Sequence, residues 1–130
     1  MEIKLTNKES EEYFYNALCN GLYVVQSDYG VEMVYDTDEY AHARENLKAK
    51  GESPCYEDIL MEILRMGGTI SLIDIEGEGA MDSFVNMELV HERVCKTPTD
   101  NLMNMIKEED DANDADVLLQ TVFFNDIVFG

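Results

Sequence analysis

Thr69-Ile70-Ser71-Leu72-Ile73-Asp74-Ile75 is the stretch that decides the fold. Ile70, Leu72 and Asp74 fall on one face and Ser71, Ile73 and Ile75 on the other, the period of two expected of a strand. Glu76 to Gly79 reads as a turn, and Ser83 to Val85 as a second, shorter strand of the same hairpin. Upstream, Ser53 caps a helix with Pro54 at its first position. Ile59, Leu60, Ile63 and Leu64 form its apolar stripe, and Gly67-Gly68 stops it. Downstream, Asn86 caps a helix carrying Leu89, Val90 and Val94. Residues 53–96 therefore read helix, hairpin, helix.

The preceding segment gives the same order. Thr6 with Glu9 makes a capping box, Phe14, Ala17 and Leu18 recur at helical spacing, and Gly21 is a stop. Leu22 to Gln26 and Val31 to Tyr35 read as strands about the turn Ser27-Asp28-Tyr29-Gly30. Asp36 with Glu39 caps a second helix through Tyr40, Ala43 and Leu47 to about Lys50. Residues 6–50 and 53–96 are thus candidate pseudo-repeats, accounted for either by tandem duplication of an αββα unit or by chance, since one pair of units gives no periodicity to count. In the C-terminal helical part, residues 97–130, Thr97-Pro98 opens a helix of Leu102, Met103, Met105 and Ile106. Its end runs into Glu108, Glu109, Asp110 and Asp111, the wrong charge for a helix C-terminus, so a solvated acidic linker is expected there. Asp114 caps a last helix with Val117, Leu118, Thr121 and Val122 inward, and Asn125 ends it in the left-handed conformation. The expected fold class is α+β: one domain over 1–130 with two β-hairpins, joined as one antiparallel sheet of about four strands covered by helices.

The chain has 130 residues, 9 Lys plus Arg and 28 Asp plus Glu, for a net charge of −19. It is long enough for one hydrophobic core without staples, and 45% hydrophobic residues exclude a disordered tail. Each third of the chain carries excess acid, so no basic arm balances an acidic tail. Such a charge excludes direct nucleic-acid binding, which needs a basic face, and binding to an anionic membrane surface. No apolar run approaches a membrane span, and MEIKLTNKESEE lacks the architecture of a secretory leader. Cys19, Cys55 and Cys95 are odd in number and match no metal or redox spacing. Small buried or half-buried apolar roles in a reducing cytoplasmic compartment are expected for them.

Two acidic stretches are candidate sites. Asp74, Glu76, Glu78 and Asp82, with Gly79, echo a calcium loop, as a divalent cation needs clustered oxygen ligands. Against this, Glu replaces Asp at two ligand positions, Val85 stands where a bidentate Glu belongs, and strands flank the loop. Glu76, Glu78 and Asp82, with Glu108, Glu109, Asp110 and Asp111, are also candidates for an acidic binding surface. No phosphate-cradling loop, serine elbow or zinc-binding His pair occurs, and nothing selects a carboxylate pair for acid–base work, so no catalytic residue and no cofactor is assigned. His91 and Cys95 would share a helix face, a coincidence helical spacing often produces. Tyr13, Phe14 and Tyr15 are consecutive, so at least one is expected to be exposed or to meet a partner. The apolar ending Val122, Phe123, Phe124, Ile127, Val128, Phe129 suits either buried docking or a homodimer contact.

Tyr56-Glu57-Asp58-Ile59-Leu60 leading to Arg65-Met66-Gly67-Gly68, then Leu72-Ile73-Asp74-Ile75-Glu76, and the ending Leu119-Gln120 to Phe129-Gly130 resemble small acidic proteins of unknown function carried by bacteriophages and conjugative elements of gut bacteria. The resemblance implies no activity and no catalytic residue; it implies an accessory protein acting on host proteins. Together with the charge, it gives the expectation of a non-catalytic interaction protein whose partner has a basic surface, in its sharpest form a mimic of nucleic-acid charge. The alternative is a divalent-metal-binding protein or enzyme using the Asp74–Asp82 loop.

Overall fold

A computed structural model describes residues 3–74 and 83–128. Helix α1 (Asn7–Tyr29) leads into strand β1 (Val31–Tyr35) and helix α2 (Thr37–Ala49). Helix α3 (Tyr56–Arg65) is followed by β2 (Ile70–Asp74) and β3 (Ser83–Val85). Helix α4 (Met87–Arg93), a single 3-10 turn (Val94–Lys96), α5 (Thr99–Ile106) and α6 (Ala112–Phe124) complete the order. The α+β class therefore holds, and among the described residues the sheet is antiparallel with three strands in the order β1-β2-β3. None of the described helices is long and apolar enough to cross a membrane.

The expected first hairpin is the main correction. Leu22 to Gln26 is not a strand; α1 runs through it to Tyr29. The residues are strand-formers by propensity, but Gly21, Leu22 and Val25 are buried, and that tertiary burial overrides a preference worth only a few tenths of a kcal/mol, or about 1 kcal/mol at most, per residue. Gly21 is not a stop. A Cβ there would lie 2.6 Å from the Ala115 Cβ and 3.2–3.3 Å from the backbone at 115 and 116, so glycine lets α1 and α6 approach closely. The helix ends instead at Gly30, whose φ of 66° is the left-handed cap that glycine adopts at little cost. The partner of β1 is β2, in the register Val31↔Asp74, Met33↔Leu72, Tyr35↔Ile70. Segment 6–50 thus contains one strand rather than two, and the αββα order on which a duplication would rest is found only in 53–96.

Local signals elsewhere act largely as expected. The Thr6–Glu9 capping box forms in both directions, at 3.1 and 2.9 Å. Asp36 accepts from the Asp38 and Glu39 N–H groups, and Asn86 accepts from Leu89 N–H. Two caps shift. Cys55, not Ser53, precedes α3, with the Asp58 carboxylate accepting from its N–H at 3.0 Å. Asp111, not Asp114, caps α6, and Asp114 sits at the third helical position and returns a bond to the Asp111 N–H. Asn125 takes the left-handed conformation expected of it. No residue in the last turn of α6 is basic, but Arg93 of α4 donates to the Val122 carbonyl at 2.9 Å and supplies positive charge at that negative helix end.

One hydrophobic cluster fills the space between helices and sheet. Phe14 of α1 and Phe123 of α6 meet at its centre, with ring centroids 5.9 Å apart. Val31, Met33, Ile70, Leu72 and Val85 point into it from the sheet. The opposite sheet face carries the cross-strand row Val34, Ser71 and Phe84, with Val34 and Phe84 exposed. The apolar C-terminus divides: Val122 and Phe123 are fully buried, Phe124 is half-buried, and Ile127 and Val128 are exposed.

Candidate functional site

The acidic linker expected after α5 is present, and its four acids have different tasks. Lys107 closes α5, and Glu108 follows with a φ of 59°. Glu108 and Glu109 are exposed. Asp110 accepts from Asn20 of α1 at 3.4 Å, tying the linker to that helix, and Asp111 is spent on the α6 cap. Asp74 ends β2 half-buried, opposite Val31, while Glu76, Glu78 and Asp82 lie outside the described residues. Among the described residues, no group of three or more His, Cys, Asp or Glu is placed to hold a metal ion.

What the linker meets is the outer face of α1. Burial raises the Tyr13 hydroxyl above its ordinary value, and the carboxylates of Glu9, Glu12 and Glu108 push it further in the same direction. Three acids from two separate segments therefore lie within electrostatic reach of one half-buried tyrosine. From the sequence, Glu9 was assigned only to its capping box, and Glu12 was not singled out. Their spacing of three residues on a helix was the available signal. None of Tyr13, Phe14 and Tyr15 is exposed: Phe14 is buried, Tyr13 lies among these acids, and Tyr15 donates to Asp58 at 2.7 Å.

Other polar groups join elements rather than facing solvent. Asp114 is buried, and its carboxylate accepts from Asn101 at 2.8 Å and from Asn104 at 3.3 Å, locking α5 to α6. Burial opposes its ionisation, but the bonds from Asn101, the Asp111 N–H and Asn104 prevail and hold its pKa below the ordinary value. Asp116 of α6 accepts from the Tyr29 hydroxyl and from Gln120 Nε2. The bond to Asp116, with burial, pushes the Tyr29 hydroxyl up to about 12. Gln120 Oε1 in turn accepts from the Val128 N–H at 2.8 Å and fixes the segment after α6. His91 pairs with Glu11 at 2.8 Å rather than with Cys95, whose thiol donates to the Glu92 carbonyl.

The cysteines depart from expectation. Cys19 and Cys55 are exposed, and only Cys95 is half-buried. Cys19 lies on the flank of α1 that faces the start of α3, where burial raises its thiol pKa, away from a reactive thiolate. Along that flank Leu18, Cys19, Leu22, Tyr23 and Gln26 border a recess closed on its far side by Tyr56 and Glu57. Tyr56 is held by Tyr35 and Tyr40, whose ring centroids lie 6.1 and 6.2 Å away. Comparison with protein-family models, with curated proteins and with solved structures finds no match to this chain.

Proposed function

We propose that the protein is a non-catalytic binding protein that presents carboxylates to the basic surface of a protein partner, in the manner of an accessory protein of a mobile element. One observation carries the reading: Glu9 and Glu12 of α1 and Glu108 of the α5–α6 linker lie within electrostatic reach of Tyr13, and Glu108 and Glu109 are exposed. A chain of net charge −19 is soluble with its acids scattered; an array drawn from two segments onto one aromatic residue offers a partner both charge and a contact surface. Mimicry of nucleic-acid charge is the sharpest form of this reading, with the target a protein whose basic face otherwise holds phosphates.

The test is capture of binding proteins from a cell lysate at low and high salt, read by mass spectrometry. The triple variant Glu9→Lys, Glu12→Lys, Glu108→Lys serves as the comparison. Basic nucleic-acid-binding proteins should be enriched at low salt, lost at high salt, and lost with the variant, and the pure chain should displace DNA from them. Enrichment unaffected by salt, or equal with the variant, overturns the reading.

A further inference from the structure

We propose that the trough beside Tyr23 is the docking site for an arginine-bearing segment of a basic protein partner, an inference that rests on the basic-partner reading above and gives it a second contact of defined chemistry. Two shallow recesses of about 390 and 190 Å³ adjoin one another and share Tyr23 and Gln26. The larger is bordered also by Val31 and Glu32 at the start of β1, the smaller by Tyr56 and Glu57 at the start of α3. Tyr23 stands between them at 82% exposure, while its helix neighbours Leu22 and Val25 are buried. An exposed aromatic ring that borders two adjoining recesses is the kind of residue that dominates binding energy when a partner covers it.

Three features of charge select the occupant. Each recess has a carboxylate at its border, Glu32 in one and Glu57 in the other, and neither is lined by Lys or Arg. The larger recess also reaches Ser27, in the last turn of α1, and that turn has no basic residue to offset the negative end of a 23-residue helix. A cation is therefore favoured from the carboxylates and from the helix end together. The exposed ring adds the choice between cations: a guanidinium is planar, stacks on an aromatic face and bonds a carboxylate through its edge at the same time, which a strongly hydrated ammonium does less well. Gln26 is fixed for this surface, because its Oε1 already accepts from the Met33 N–H at 2.9 Å.

The test is fluorescence anisotropy with labelled nona-arginine and nona-lysine against the full chain. Variants are Tyr23→Ala, Tyr23→Phe, the pair Glu32→Gln with Glu57→Gln, and separately the triple Glu9→Gln, Glu12→Gln, Glu108→Gln. Nona-arginine should bind about tenfold more tightly than nona-lysine; Tyr23→Ala should weaken it about tenfold and Tyr23→Phe less than about twofold. The Glu32, Glu57 pair should weaken it and flatten its salt dependence. Equal affinity for the two peptides, or equal losses in Tyr23→Ala and Tyr23→Phe, overturns the stacked guanidinium. Binding indifferent to Tyr23→Ala but lost in the triple variant overturns the trough and leaves the basic-partner reading in place. No binding of either peptide at low salt overturns both.

Discussion

The two flanks of α1 admit different things. Toward α6 the helix is cut back to Gly21, and Ala115 approaches so closely that even a methyl group would not fit. Toward β1 and α3 the same helix, two residues later, holds Tyr23 out in solvent above an open trough. Both flanks carry polar and acidic groups. On the α6 side these are matched inside the protein, Tyr29 and Gln120 to Asp116. On the trough side Glu32 and Glu57 each border a recess with no Lys or Arg among its described lining residues. A large negative charge is thus compatible with close packing where each buried carboxylate has donors, and the acids left at the surface are the ones available to another molecule.

That contrast can be broken from the packed side first. Phe123→Ala removes the ring that meets Phe14 at the centre of the core, and a loss of about 3–5 kcal/mol is expected in urea unfolding. Gly21→Ala should gain about 1 kcal/mol in helix propensity. It should still destabilise by about 2 kcal/mol net, because the neighbour on one side is backbone and cannot give way; a neutral or stabilised variant would show that the two helices are not in close contact. Asp114→Ala should cost about 2 kcal/mol at neutral pH by stranding Asn101, Asn104 and the Asp111 N–H. The Asp114 carboxyl is held below its ordinary pKa when folded, so its contribution is complete above about pH 4. It is lost as pH falls through the lower folded value. Urea curves of the parent and Asp114→Ala should therefore converge on acidification, and a gap that persists below that range would contradict the assignment.

Smaller effects sharpen the comparison. Tyr29→Phe takes one donor from Asp116 and leaves Gln120, so about 1 kcal/mol is expected in the same assay. Tyr23→Ala should change stability by less than about 0.5 kcal/mol, since the ring is exposed. A large loss there would mean that Tyr23 is part of the packed structure and not a contact surface.

Signals carried within one turn of chain were legible. Thr6 with Glu9, Asp36, Asn86 and Asn125 each ended a helix as the sequence implied, because a cap depends on a few neighbouring atoms. Gly21 was misread because a glycine that admits a neighbouring helix and a glycine that ends a helix look alike until the neighbour is known. The error carried Leu22 to Gln26 into a strand that does not form and supplied the false first hairpin. At 53–55 and 111–114 two capping residues compete within a few positions, and the backbone chose the one whose third helical residue is an Asp able to return the bond. Of the acids in the proposed binding surface, Glu108 and Glu109 were put forward from local charge density. Tyr23 was not put forward, since what distinguishes it is a lack of cover, which is not written in local spacing.

The bond from the Met33 N–H to Gln26 Oε1 has a consequence for the protein in concentrated solution. β1 is an edge strand, and the unpaired amides of such an edge invite another strand to add and chains to stack into fibrils. Here a side-chain amide from α1 occupies the middle of the row. A second molecule would have to displace it before its own backbone could pair, while also overcoming repulsion between two strongly anionic chains. Strand addition at this edge is therefore disfavoured, and Gln26 acts as its stopper.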